Sequence, residues 1–247
     1  LLGGYRDEVF TDITLGIKSP KEMAKDAVKA VKRGFKALKV KVGVNPSEDV
    51  ERIKRIREAV GSGIQIRIDA NQGWKPKEAI DVLKKIQKYN VQFVEQPVKA
   101  EDIKGLATVR KNSSIPVMAD ETVHSPEDAL KVIKAEAVDL INIKLMKSGG
   151  IWKAMKIAAI AEAAKIPCMV GCMGESNLGI TAAVHFAAAT KNVQYADLDS
   201  DLLLKDKLVK RGGAKLKDSK RTLPKKNGLG ILSFDMKLLG KPVKIFK

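Results

Sequence analysis

Several things are scarce in this sequence, and each scarcity excludes something. Its 247 residues include two cysteines, Cys168 and Cys172, and two histidines, His124 and His185. Two thiols cannot build a disulfide framework. With no further soft ligands at suitable spacing they do not make a zinc site either, and both are expected as buried thiols. His185 lies in the apolar run AAVHFAAA and is expected to pack there, whereas His124 follows ADETV, where it could approach a site. Aromatic residues make up 4%, which leaves little for stacking on bases. No phosphate loop or dinucleotide fingerprint occurs. The first twenty residues, LLGGYRDEVFTDITLGIKSP, carry charges throughout and contain no long apolar run. A signal peptide and a membrane span are therefore not expected, and a cytoplasmic location is.

Positive charge is abundant: 46 Lys and Arg stand against 29 Asp and Glu, a net +17. The lysines are scattered at helical spacing among acids and apolar residues, as in KEMAKDAVKAVKRGFK and KPKEAIDVLKKIQKY, which is the pattern of solvated helix faces. Neither nucleic acid nor a membrane is expected as a partner. The densest basic stretch, Lys205–Lys226, reads as a solvated loop or linker. Length and composition suit one α/β barrel, residues 1–247, with a real core.

Short β-branched runs alternate with longer amphipathic segments. Strands are expected at Phe10–Ile17, Ala37–Val42, Ile64–Ile68, Gln92–Val94, Pro116–Met118, Ala137–Ile143, Pro167–Val170 and Val193–Ala196. Pro20, Asn45-Pro46-Ser47, Pro76 and Pro126 mark helix starts between them. The alternation predicts a parallel sheet, right-handed crossovers put the helices on one side, and about eight repeats favour a closed barrel. Lys41, Asp69, Glu95, Asp120 and Lys144 fall at or just past strand ends, with gaps of 28, 26, 25 and 24 residues. In a barrel those ends converge on one face.

Asp69 in IRIDANQGW, Glu95 in QFVEQP and Asp120 in VMADE each follow an apolar strand. Capping a helix would account for any one of them. Three together would repel unless a cation joined them, and an all-oxygen donor set selects a hard ion, Mg²⁺ or Mn²⁺. Asn71 could bind substrate or hold Asp69, while Gln96 and Glu121 could orient ligands or nearby lysines. Lys39 and Lys41 alternate on one strand and so point the same way, inward if Leu38, Val40 and Val42 pack under the helices. Lys144 ends LINIK on a strand across the barrel, and Lys147 reads as a surface or loop residue. Two lysines on opposite sides of one carbon suit a 1,1-proton transfer, one removing the proton and the other returning it.

The motifs KVKVG, DANQGW, EQP, ADE and NIKLMKSGG, in that order, resemble the enolase superfamily in its muconate-lactonizing-enzyme-like subgroup. QYADLDSDLLL narrows the resemblance to dipeptide epimerases of the Ala-Glu type. The resemblance implies a (β/α)7β barrel in which Lys41 and Lys144 are the acid/base pair and Lys39 supports them. Asp69, Glu95 and Asp120 become Mg²⁺ ligands, with a metal-stabilised enediolate on the path. Asp197 and Asp199 would bind the free ammonium of a dipeptide, and Glu175, Ser176 and Thr14 would contact substrate. Succinylbenzoate synthesis, N-acylamino-acid racemisation and cycloisomerisation reuse the same groups and remain alternatives, as does a barrel without turnover. The family also implies a homo-oligomer and an N-terminal capping domain. Here LLGGYRDEVF looks like the linker after such a domain, so the cap is expected to be absent, and residues 224–247 resemble the segment that packs on it.

Overall fold

Proline and small polar caps start the helices. Pro20, Pro46, Pro76 and Pro126 each occupy the first turn of a helix, where the missing N–H has no partner to lose. Ser19 and Ser125 complete capping boxes with Glu22 and Asp128, and Asn45 Oδ1 accepts from the N–H groups of Ser47 and Glu48. The structure, a computed structural model, describes residues 1–239.

In chain order the first elements are β1 (Glu8–Phe10), β2 (Ile13–Leu15), α1 (Pro20–Lys32), β3 (Ala37–Lys41), α2 (Pro46–Val60) and β4 (Gln65–Asp69). There follow α3 (Pro76–Ile86), β5 (Val91–Glu95), α4 (Ile103–Lys111), β6 (Val117–Ala119), α5 (Pro126–Lys134) and β7 (Leu140–Lys144). Next come α6 (Leu145–Ser148), α7 (Ile151–Ala163), β8 (Cys168–Gly171), α8 (Asn177–Ala189) and β9 (Val193–Ala196). Last are β10 (Val209–Gly212), β11 (Lys215–Lys217), β12 (Lys220–Thr222), β13 (Ile231–Phe234) and α9 (Met236–Leu239). Strands β2 to β9 form one eight-stranded parallel sheet in sequence order, with helices in all seven crossovers. It curls until its ends meet at the parallel bridge Thr11–Ala196, where Asp12 N–H donates to Ala196 O at 3.1 Å.

Strand alternation then divides the side chains. Leu38, Val40, Ile66, Ile68, Val94, Ile141, Ile143 and Val170 belong to the main core beneath the helices. Phe93, Met118, Leu140 and Met169, with Tyr195, form a separate inner cluster. Two residues further along the same strands stand Glu95, Asp120, Asn142, Gly171 and Asp197. The period of two thus places an apolar floor directly below a polar layer. Arg67 completes the floor, its guanidinium 5.3 Å from the Phe93 ring and 5.1 Å from that of Tyr195, and paired with Asp12 at 2.7 Å.

Three expectations change. The run Phe10–Ile17 is two strands, because Thr11 N–H turns to Ser219 O while Asp12 N–H turns to Ala196 O. One half joins a small antiparallel sheet, β1-β12-β11, and the other joins the barrel. The sixth run starts at Leu140 instead of Ala137. Lys205–Lys226 is not a bare linker: it contains β10, β11 and β12. Arg221 on β12 is buried against Asp201 and donates to Leu198 O at 2.7 Å, an inward face that the surrounding lysines conceal in the sequence. Of residues 224–247, β13 pairs with β10, and residues 240–247 lie outside the described residues.

Two loops at the strand ends meet without room for a side chain. Gly43 has φ +99°, and a Cβ there would sit 2.2 Å from Ala70 O; a Cβ on Gly73 would sit 2.1 Å from Gly43 O. Gly43→Ala should therefore destabilise the protein by about 2–4 kcal/mol. Gly63→Ala, where nothing lies within 4 Å, should change stability by less than about 0.5 kcal/mol. Urea denaturation of the two variants distinguishes a fitted loop contact from a tolerant one.

Candidate active site

Asp69 and Glu95 end adjacent strands and Asp120 follows the next, so β4, β5 and β6 carry three acids side by side. All three are buried. Lys39, also buried, reaches Asp69 Oδ2 at 3.0 Å, Glu95 Oε2 at 2.8 Å and Asp197 Oδ2 at 2.7 Å. Lys41, on the same face of β3, donates to Asp69 Oδ2 at 2.7 Å and to Asn71 Oδ1 at 2.6 Å. Across the barrel Lys144 donates to Asp120 Oδ2 at 2.6 Å. Asn142 Nδ2 donates to Glu95 Oε1 at 2.7 Å.

Lys147 departs from expectation. It is no surface residue: its buried ammonium lies 2.6 Å from Asp120 Oδ1 and donates to the carbonyls of Asp120, Val123 (3.0 Å) and Asn142 (3.2 Å). The one-turn helix α6 reverses the chain immediately after β7 and points this side chain back toward β6. His124 is exposed and His185 half-buried.

A second acid group lies at the seam of the barrel. Asp197 and Asp199 follow β9 and are both buried. Thr14 N–H donates to Asp199 Oδ2 at 2.7 Å and its hydroxyl to Asp197 Oδ1 at 3.4 Å. The Cys172 thiol points at Asp199 Oδ1 at 3.6 Å. Glu175 and Ser176 stand further out, at the start of α8. The Glu175 carboxylate accepts from Met173 N–H, and Ser176 occupies the cap position without a side-chain cap bond. Cys168 and Cys172 are both free and buried.

Burial and charge set the protonation of the acids. Burial, followed by Asp69 and Asp120, pushes the Glu95 carboxyl up to about 8 against the pull of Lys39. Burial also acts on the other two, but Lys39 and Lys41 hold Asp69 below the usual range, and Lys147 and Lys144 do the same for Asp120. Lys39 keeps its proton despite burial because Asp197, Asp69 and Glu95 surround it.

Over residues 22–235 the sequence matches the family model for enolase C-terminal domain-like proteins. The chain belongs to that family. The L-Ala-D/L-Glu epimerase of Clostridium acetobutylicum is 51% identical over 234 residues, covering 94% of this chain and 65% of the relative. The structure of a substrate-liganded L-Ala-D/L-Glu epimerase from Bacillus subtilis superposes with a TM-score of 0.93 at 47% identity, over 95% of this chain and 66% of that one. A dipeptide epimerase from Enterococcus faecalis, complexed with Mg and L-Leu-L-Tyr, gives 0.91 at 49% identity over 93% of this chain and 65% of that one. The chain thus spans under two thirds of the length of these relatives.

The family barrel sets the donor chemistry, and the acids fit a hard divalent cation. All three offer only oxygen, and the buried atoms Glu95 Oε2 and Asp120 Oδ1 accept no hydrogen bond of good geometry, only an ammonium contact each. Asp69, Glu95 and Asp120 would hold the ion. Among the described residues, the trio whose ligand atoms all lie within 4.8 Å of one another is a different one, Cys172, Asp197 and Asp199. Its thiol is a poor partner for Mg²⁺. Each of the three strand-end acids turns to an ammonium instead.

Asp12, Arg67 and Asn142 were not among the expected site residues, and Lys147 was expected at the surface. Arg67 and Asn142 lie two residues before Asp69 and Lys144, so the same alternation that located the acids and lysines would have found them. Lys147 offers no such signal.

Two outcomes follow. Lys39→Met removes the one ammonium shared by the buried acids Asp69, Glu95 and Asp197, so unfolding free energy should fall by about 3–5 kcal/mol, and added Mg²⁺ should recover more of it than it adds to the unaltered protein. Equal Mg²⁺ shifts in thermal denaturation would contradict this placement. Glu95, raised from 4.5 to about 8, binds more protons folded than unfolded. Its contribution is therefore complete below pH 4.5 and lost as pH rises through about 8. Without metal, Glu95→Gln should flatten the decline in stability over that window, as read by chemical denaturation at several pH values.

Proposed function

We propose that this chain carries the catalytic barrel of a Mg²⁺- or Mn²⁺-dependent dipeptide epimerase that inverts one Cα by 1,1-proton transfer. The observation that carries the reading is the placement of Lys41 and Lys144. They end β3 and β7, which stand four strands apart in a ring of eight, with the acids of β4, β5 and β6 between them. Groups so placed approach a substrate at the mouth from opposite sides.

In this reading one lysine, as a neutral amine, takes the Cα proton, and the other, as an ammonium, delivers a proton to the opposite face. A divalent ion held by Asp69, Glu95 and Asp120 would supply positive charge near the substrate carboxylate, where enediolate charge gathers when Cα loses its proton. Lys39 adds fixed positive charge beneath. Asp197 and Asp199 receive the dipeptide ammonium, with Thr14 orienting both carboxylates, while Glu175 and Ser176 line the outer approach. The complexes of the Enterococcus and Bacillus relatives with dipeptide or substrate support the substrate class.

The reading includes a capping unit over the mouth. Val44, Met146, Met173 and Leu203, on the segments that follow β3, β7, β8 and β9, are exposed apolar side chains, a pattern that marks a surface to be covered. Water exclusion by such a cover would raise turnover, so the barrel alone should be much slower than the covered enzyme.

In D₂O with Mg²⁺, deuterium should enter Cα of a dipeptide. Lys41→Met and Lys144→Met should each lower epimerisation at least about a thousandfold. Asp197→Asn with Asp199→Asn should raise KM for dipeptides at least tenfold, on the order of the loss of a charged hydrogen-bond pair. Absence of exchange across a broad dipeptide panel with the full-length protein would overturn the proposal. Retained turnover of N-acylated amino acids by the Asn variants would instead favour another reaction of the subgroup.

A further inference from the structure

We propose that Glu121, acting through Asn71, is a positioning residue for Lys41 and for that lysine alone; this rests on the epimerase reading above. Asn71 follows β4 by two residues, and its side-chain amide makes a contact at each end. Its N–H donates to Asp69 Oδ1 at 2.9 Å, its Oδ1 accepts from Lys41 Nζ at 2.6 Å, and its Nδ2 donates to Glu121 Oε1 at 3.0 Å. Its backbone is left-handed, φ 41°, a conformation asparagine tolerates better than most residues.

The chemistry of the three groups fixes which way the amide faces. A carboxylate only accepts and an amine cation only donates, so the NH₂ must meet Glu121 and the oxygen must meet Lys41. Turning the amide over would set like against like at both ends. Without Glu121 only one end would favour the observed orientation. Glu121 Oε2 is buried without a hydrogen-bond partner, and the side-chain hydrogen bond of this carboxylate is the one its Oε1 accepts from Asn71.

A neutral acceptor suits a lysine that alternates between amine and ammonium. Either form has an N–H to donate to Asn71 Oδ1, so the restraint survives the proton transfer. Asp69 restrains only the charged form strongly. Lys144 has no counterpart: its ammonium donates to Asp120 Oδ2, and Asp120 is shared with Lys147. The Glu121–Asn71 pair therefore acts on one side of the substrate.

The test is Cα–H exchange in D₂O with Mg²⁺, measured separately from each epimer of one dipeptide with the full-length protein. Glu121→Leu should slow exchange about tenfold or more from the epimer whose proton goes to Lys41, with KM little changed. Exchange from the other epimer, whose proton goes to Lys144 and is returned as deuterium from that same group, should change by less than about threefold on the same scale. Glu121→Gln keeps an accepting oxygen and should restore most of the rate. Asn71→Leu with Glu121→Leu should be no slower than Asn71→Leu alone. Equal slowing of both epimers, no slowing, or failure of Glu121→Gln to rescue overturns the positioning role. A parent protein that exchanges neither epimer removes the epimerase reading and this inference with it.

Discussion

One ammonium group, that of Lys39, holds together the interior on which the site depends. It contacts carboxylates from β4, from β5 and from the segment after β9, so it ties the middle of the sheet to its last strand. Three buried acids without it would repel across a medium that screens them poorly. With it, Asp69, Glu95 and Asp197 pack around a single buried charge. The contacts are short and from several directions, which is the condition under which a buried ion pair is more than a desolvation cost.

The sheet makes this possible through its period of two. On most of the inward faces an apolar or stacked residue lies one step below a polar one: Phe93 below Glu95, Met118 below Asp120, Tyr195 below Asp197, Arg67 below Asp69. The floor excludes water from beneath and keeps the charges above it from relaxing into solvent. The outward residues of the same strands anchor the helices. Displacing a strand by one residue would exchange the two sets, so register and site geometry are one constraint.

That coupling explains what could be read in advance. The spacing of Lys41, Asp69, Glu95, Asp120 and Lys144 reports both the repeat and the converging strand ends, and the structure keeps all five at those ends. Proline and cap residues located four helices correctly. The misreadings share a cause, since each turns on where a backbone N–H finds its partner or a long side chain folds back. Thr11 and Asp12 bond to different sheets, which no alternation pattern reveals. Arg221 and Lys147 are basic residues in basic or loop-like surroundings, and burial of such groups depends on carboxylates distant in the chain: Asp201 for one, Asp120 for the other.

The arrangement of the cations carries a further consequence for any reaction in which Lys41 and Lys144 exchange protons. Each is held by a carboxylate, Asp69 or Asp120, and each must at some stage give up its charge. A buried carboxylate abandoned by its cation would resist that step strongly. Neither is abandoned: Asp69 keeps Lys39, and Asp120 keeps Lys147, whose ammonium is further secured by backbone carbonyls. The barrel thus pairs each lysine that must change state with a second that need not.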